Sequence, residues 1–177
     1  MKYQEIEGDL IELALAGSFD VIAHGCNCYN IQGKGIALQM KRVFATDLYE
    51  KEDPQYLRDI NKLGQIQYVF RKTHVNGKLV AVVNAYTQFG PGPNLDYNAL
   101  TLCLRKINHK FKGKHIGLPL IACGIAGGIW DLDAYSLKES ESFRIATQLR
   151  SNGFKDVKTI IQEELKDCDV TVVHYKK

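Results

Sequence analysis

Residues 23 to 41, AHGCNCYNIQGKGIALQMK, concentrate groups able to do chemistry: an imidazole at His24, thiols at Cys26 and Cys28, an amide at Asn27, then Gly33, Lys34 and Gly35. A histidine titrating near pH 6.5 can serve as acid, base or phosphate ligand. Glycines just ahead of a helix let the backbone approach an anion closely, and the helix start offers it N–H groups and a positive dipole end. The run is not a P-loop, because Cys28 and Gly35 stand where GxxxxGK[ST] requires Gly and Ser or Thr. Nor is it a GxGxxG dinucleotide fingerprint, whose third glycine falls on Leu38. Zinc is not expected at Cys26 and Cys28, since no second Cys or His pair stands at ligand spacing.

A second glycine loop, ACGIAGGIW at 122 to 130, also follows a strand-like run. Two such loops can grip a diphosphate from both sides. Gly8-Asp9-Leu10 adds a carboxylate at a strand-to-helix turn, and a carboxylate accepts hydrogen bonds from an exocyclic amine such as that of adenine. Cys103 and Cys123 read as packing thiols, Trp130 as a hydrophobic anchor for the second loop, and His74, His109 and His115, beside lysines, as surface residues.

The elements that must position these groups alternate. Tyr3 to Glu7 reads as a strand, Leu10 to Ala16 as a short helix capped by Asp9, and Phe19 to His24 as a strand buried on both faces. Ile36, Met40, Val43 and Phe44 fall at helical spacing. Ile66 to Thr73 and Leu79 to Ala85 flank Asn76-Gly77, a hairpin signal. Leu100, Leu104, Ile107 and Phe111 mark a helix closed at Gly113, followed by a strand from Ile116 to Ile121. Val157, Ile160, Ile161 and Leu165 give a last helix and Val170 to Tyr175 a last strand. The pattern is an α/β layered domain with a mixed sheet.

At 177 residues, the chain is sized for one domain with a substantial core. Its net charge of +3 is weak, the Lys and Arg residues being scattered and offset by acids such as Glu5, Glu7, Glu50, Glu52, Glu163 and Glu164. A small anion suits that balance; a large nucleic-acid face does not. The uncharged run Ile116 to Trp130, like Leu79 to Leu95, is shorter than the ~20 residues of a membrane span. No apolar segment follows Met1 to Glu5, so the expected address is the cytoplasm, with the five cysteines as reduced thiols.

Taken in order, Gly8-Asp9-Leu10, HGCNCYNIQGKGIA, AYTQFG, LPLIACGIAGGIW and VTVVHY resemble a macro domain, the ADP-ribose-binding α/β/α module, over nearly the whole chain. The resemblance is closest to bacterial and phage members and to the ADP-ribose 1″-phosphate phosphatase branch. It implies a three-layer α/β/α sandwich over residues 1–177, with roughly 132–153 as an insertion between the second loop and the last helix. That segment is polar, and its apolar spacing is too irregular to assign a helix.

The same resemblance gives Asp9 to the adenine amine, Leu10 to a backbone contact, and Asn27 to the distal ribose. Gly33, Lys34, Gly35, Ile36 and Ala37 form the first phosphate loop, and Gly124, Ile125, Ala126, Gly127 and Gly128 the second. Tyr175 stacks on adenine, while Tyr86, Phe89 and Tyr97 are candidates to line the distal ribose. His24 occupies the place of the phosphatase histidine and, with Asn27, is the catalytic candidate; the alternative is a ring that merely bonds its neighbours. Gln88 follows Asn84-Ala85-Tyr86-Thr87, where a de-ADP-ribosylating branch carries lysine, and an amide forms no Schiff base. The expected activity is hydrolysis of ADP-ribose 1″-phosphate to ADP-ribose and phosphate; the alternatives are a non-catalytic reader of free or macromolecule-linked ADP-ribose, or a glycohydrolase. No metal or cofactor is implied, because backbone N–H groups can neutralise the phosphates.

Overall fold

In a computed structural model that describes residues 2–48 and 58–176, the chain builds a six-stranded sheet in the order β1-β6-β5-β2-β4-β3. The elements are β1 (Tyr3–Gly8), α1 (Leu10–Leu15), β2 (Val21–Asn27), α2 (Gly35–Phe44), β3 (Ile66–Lys72), β4 (Leu79–Gln88), α3 (Tyr97–Lys110), β5 (His115–Leu118), α4 (Leu132–Ser136), α5 (Ser140–Ser151), α6 (Val157–Glu164) and β6 (Asp169–Tyr175). Five strands run parallel, and β3 joins antiparallel to β4 through the Asn76-Gly77 turn.

Alternation along each strand decides which face meets which helices. On β2, Val21 and Ala23 face one core with Ala81, Val83, Ile116, Val170 and Val172, covered by Leu100, Leu104 and Ile107 of α3 and Val157, Ile160 and Ile161 of α6. Ile22 faces the other way, with Val80, Val82 and Val173, beneath Leu10, Ile11 and Ala14 of α1 and Met40 and Phe44 of α2. Both faces are thus sealed, which gives the α/β/α sandwich. Each fully buried Leu or Ile contributes about 1.5–3 kcal/mol, so α3, with three such residues at 0% exposure, is a principal anchor.

Several boundaries differ from the sequence expectation, among them that of β4, which runs on to Gln88 rather than ending at Ala85. Strand β2 does not stop at His24; Gly25, Cys26 and Asn27 continue the pairing with β4, through a register shift between Cys26 and Asn27. Strand β5 ends at Leu118 rather than Ile121, because Pro119 has no N–H to offer the ladder. The stretch from 132 folds as two helices, α4 and α5. Asp131 caps α4 by accepting from the N–H groups of Asp133 and Ala134, and Phe154, just past α5, packs edge-on against Tyr97 with centroids 5.0 Å apart. Among the described residues, no helix is long and apolar enough to cross a membrane.

Candidate functional site

The carboxyl ends of all five parallel strands lie on one edge of the sheet. From β2 the chain moves outward to β4; from β5 it moves the opposite way to β6. The loops after β2 and β5 therefore diverge from neighbouring strands and leave a crevice, the position where open α/β sheets take ligands.

The first loop is braced from within. Asn27 Nδ2 donates to the Ile31 carbonyl at 2.9 Å and its Oδ1 accepts from the Ile31 N–H at 3.1 Å. Gln32 is 5% exposed and exchanges hydrogen bonds with Thr46: Nε2 to the carbonyl at 3.2 Å, and Thr46 Oγ1 to Oε1 at 2.7 Å. Gly33, Lys34 and Gly35 are left exposed. Lys34 is the N-cap of α2 but makes no side-chain cap, and Gly35 takes φ +58°. As a result the N–H groups of Gly35, Ile36 and Ala37 find no acceptor among the described residues. Both ends of the half-buried Asn27 amide thus shape the loop, while its second N–H and second lone pair stay open.

The second loop turns sharply at Ala122, a non-glycine residue with φ +62°. Gly128 N–H donates to the Ala122 carbonyl at 2.9 Å, Gly127 N–H to Gly124 at 3.1 Å, and Leu95 N–H to Ala126 at 3.2 Å. A Cβ on Gly128 would stand 2.6 Å from both the Ala122 carbonyl and Leu95 Cδ2, so this close approach requires glycine. The N–H groups of Gly124, Ile125 and Ala126 have no acceptor among the described residues. The loops meet at their tips, where a Cβ built on Gly35 would lie 3.8 Å from Ile125 Cδ1.

Two strands away, Asp9 Oδ1 accepts from the N–H groups of Ile11 and Glu12 at 3.0 and 3.1 Å, the N-cap read from the sequence. Its Oδ2 takes no hydrogen bond among the described residues, nor does the Leu10 N–H find an acceptor there. Tyr175 is 71% exposed and stands opposite Gly8 in the β6–β1 register. A carboxylate oxygen, a free N–H and an open aromatic ring thus gather at the β1–β6 end of the same edge.

His24 lies elsewhere. Its side chain is 0% exposed, on the α2 face of the sheet, and its Nε2 is 2.7 Å from Asn84 Oδ1. Asn84 Nδ2 donates to the Thr46 carbonyl at 2.8 Å, so Oδ1 is the acceptor and His24 carries its proton on Nε2. Burial lowers the pKa of His24 to about 4, only partly opposed by the Asn84 bond. In this structure the ring is neutral and enclosed and does not open onto the crevice.

Gln88 donates to the carbonyls of Gly90 and Gly92 at 2.8 and 2.9 Å and shapes the turn after β4. Tyr86 bonds Gln67 and Tyr97 accepts from the Ile129 N–H, so both are committed to structure. Phe89, 36% exposed, packs edge-on against Tyr29. Burial pushes the thiol of Cys123 at the loop base up to about 12, leaving no thiolate nucleophile there. Among the described residues, no group of three or more His, Cys, Asp or Glu could hold a metal ion.

No local signal marks the polar network of His24, Asn84, Gln67, Tyr86, Thr46 and Gln32, because it is drawn from β2, the first loop, the turn after α2, β3 and β4. Thr87 was equally hidden; its Oγ1 is buried beside Gly25 without a partner among the described residues.

No protein-family model matches the chain. An uncharacterized 17.5 kDa protein from the tk-vs intergenic region of Enterobacteria phage T4 is 37% identical over 142 residues, covering 75% of this chain and 89% of that protein. Among solved structures, a Bacteroides thetaiotaomicron protein of unknown function has a TM-score of 0.60 at 26% identity, covering 98% of each chain. A Streptomyces coelicolor macrodomain protein has a TM-score of 0.58 at 21% identity, covering 99% of each. Thermosipho africanus DarTG in complex with ADP-ribose has a TM-score of 0.63 at 15% identity, covering 98% of this chain and 42% of that one. The fold, with its paired loops at the sheet edge, is that of a macro domain. The chain belongs to that family, and by sequence it groups with the phage T4 protein.

Proposed function

We propose that the crevice binds the ADP-ribose unit of a free or macromolecule-linked compound, with its diphosphate between the two loops. The observation that carries this reading is the convergence of unpaired N–H groups from Gly35 to Ala37 and from Gly124 to Ala126 on one crevice. Phosphate oxygens are acceptors only and suit such a cradle. Asp9 Oδ2 and the Leu10 N–H would take the adenine edge, and Tyr175 its face. Strands β1 and β5 are two spacings apart, roughly 10 Å, which suits a base at one end and a diphosphate at the other. The ADP-ribose bound to the Thermosipho protein of the same fold supports the assignment.

Release of phosphate from ADP-ribose 1″-phosphate is the second reading, favoured by the free N–H groups, which would stabilise charge building on a transferring phosphoryl group. It would proceed by positioning and without His24 as acid or base, since that imidazole is enclosed and neutral. We take residues 132–153 as an insertion between the second loop and the last helix, a reading supported by their folding as a helical pair, α4 packed against α5.

A phosphorus NMR time course of ADP-ribose 1″-phosphate with stoichiometric protein tests both readings. Broadened diphosphate lines with a persistent monoester mean binding without turnover. Growth of inorganic phosphate means a phosphatase. Unchanged lines throughout would overturn the ADP-ribose assignment.

A further inference from the structure

At the end of the sheet away from the loops, the fold gathers lysines that are far apart in sequence. Lys2 precedes β1, Lys72 ends β3, Lys110 ends α3, Lys112 and Lys114 lead into β5, and Lys166 lies between α6 and β6; all six are exposed. Backbone hydrogen bonds tie these turns into one surface: Gly113 N–H to Asp167, Asp169 N–H to Lys114, and Val170 N–H to Lys2. Asp20 continues it toward β4, its N–H donating to the His115 carbonyl and its carbonyl accepting from Ala81.

The acids of these turns are all engaged. Asp20 Oδ2 accepts from the His115 N–H, Asp167 Oδ2 from Asn108 Nδ2 and Asp169 Oδ1 from the Lys2 N–H, each at 2.9 Å. Lys78 is the lysine that Asp20 approaches, at 4.0 Å. The ammonium groups of Lys2, Lys72, Lys112, Lys114 and Lys166 have no partner among the described residues. A shallow groove of about 210 Å³ opens in the same surface, walled by Lys2, Gln4, His115, Asp169 and Thr171.

We propose that this pole is a second anion-binding surface, which takes the phosphodiester backbone of a nucleic-acid strand independently of the crevice at the opposite edge. The band of lysines crosses the sheet from β1 to β3, five strand spacings or roughly 24 Å, long enough to meet several phosphates at once. Lysine is a point charge without the fork that reads base edges, so binding is insensitive to sequence and strongly dependent on salt. The arrangement does not depend on what the crevice binds.

The test is fluorescence anisotropy of a labelled 20-nucleotide single strand against the full chain. With about five phosphates neutralised, affinity falls about 100-fold between 50 and 200 mM salt. The triple variant Lys110→Gln, Lys112→Gln, Lys114→Gln binds at least about 10-fold more weakly at 50 mM salt, and its salt slope is smaller by about two. Its melting temperature stays that of the wild type, and saturating ADP-ribose leaves the oligonucleotide bound to the wild-type protein. The proposal is overturned by absence of binding at 50 mM salt, by an unchanged affinity in the triple variant, or by displacement with ADP-ribose, which would put the strand in the crevice. Binding of polyglutamate but not of the oligonucleotide would overturn it in favour of an acidic protein partner.

Discussion

Acidification should destabilise this protein through His24 before most carboxylates protonate. In the folded chain the ring is enclosed, with a pKa of about 4, whereas in the unfolded chain it titrates near the ordinary 6.5. Below pH 6.5 the unfolded state binds a proton that the folded state refuses, so stability is fully present above that pH and is lost as pH falls toward 4. Linkage puts the loss between pH 7 and pH 5 at about 2 kcal/mol, and the full loss below pH 4 at about 3 kcal/mol. Against a typical total of about 5–15 kcal/mol, that is a large share.

The assay is urea unfolding at pH 7 and pH 5 for the wild type and for His24→Gln, whose amide can still donate to Asn84 Oδ1 but carries no titrating nitrogen. The wild type loses about 2 kcal/mol more than the variant over that interval. Parallel losses in the two proteins would mean that the ring is accessible and hydrated. The enclosed, neutral His24 would then be wrong, and its exclusion from catalysis with it.

Four further substitutions separate scaffold from ligand contact. Gly128→Ala collides with the Ala122 carbonyl and should cost about 1–3 kcal/mol along with ADP-ribose affinity, whereas Gly124→Ala, with nothing within 4 Å, should leave the melting temperature unchanged; calorimetric scans and titration of both variants check this. Thr87→Val removes a buried hydroxyl that has no partner among the described residues and should stabilise the protein by about 1 kcal/mol in urea, while a loss of stability would show that the hydroxyl is satisfied. Asp9→Ser keeps the α1 cap but removes the second carboxylate oxygen, so stability should change by less than about 0.5 kcal/mol while ADP-ribose binding weakens about 10-fold; equal affinity would exclude Asp9 from the base.

Much of the scaffold was legible because it rests on local signals. Periodicity found α2, α3 and α6, Asp9 announced the start of α1, and Asn76-Gly77 the β3–β4 hairpin. The two glycine runs marked the crevice loops, since only small residues permit contacts such as Gly128 against Ala122. The features that were not legible depend on pairing across the sheet. His24 stands directly opposite Asn84 in the β2–β4 register, sixty residues apart, and that pairing holds its ring in the interior. Alternation alone would have put His24 on the face of Ile22, under α2. The helices α4 and α5 escaped because their stability comes from the Asp131 cap and the Phe154–Tyr97 contact rather than from a clean apolar stripe. The lysine pole was invisible for the same reason, its members joining only when the strand starts are set side by side.

The central claim is that backbone N–H groups of two loops hold the diphosphate. It is tested most directly by titrating ADP-ribose into ¹⁵N-labelled protein and following amide resonances. The account predicts the largest shifts at Gly35, Ile36, Ala37, Gly124, Ile125 and Ala126, with smaller ones at Leu10 and Tyr175. Saturable shifts concentrated elsewhere, or none at millimolar ADP-ribose, would contradict it.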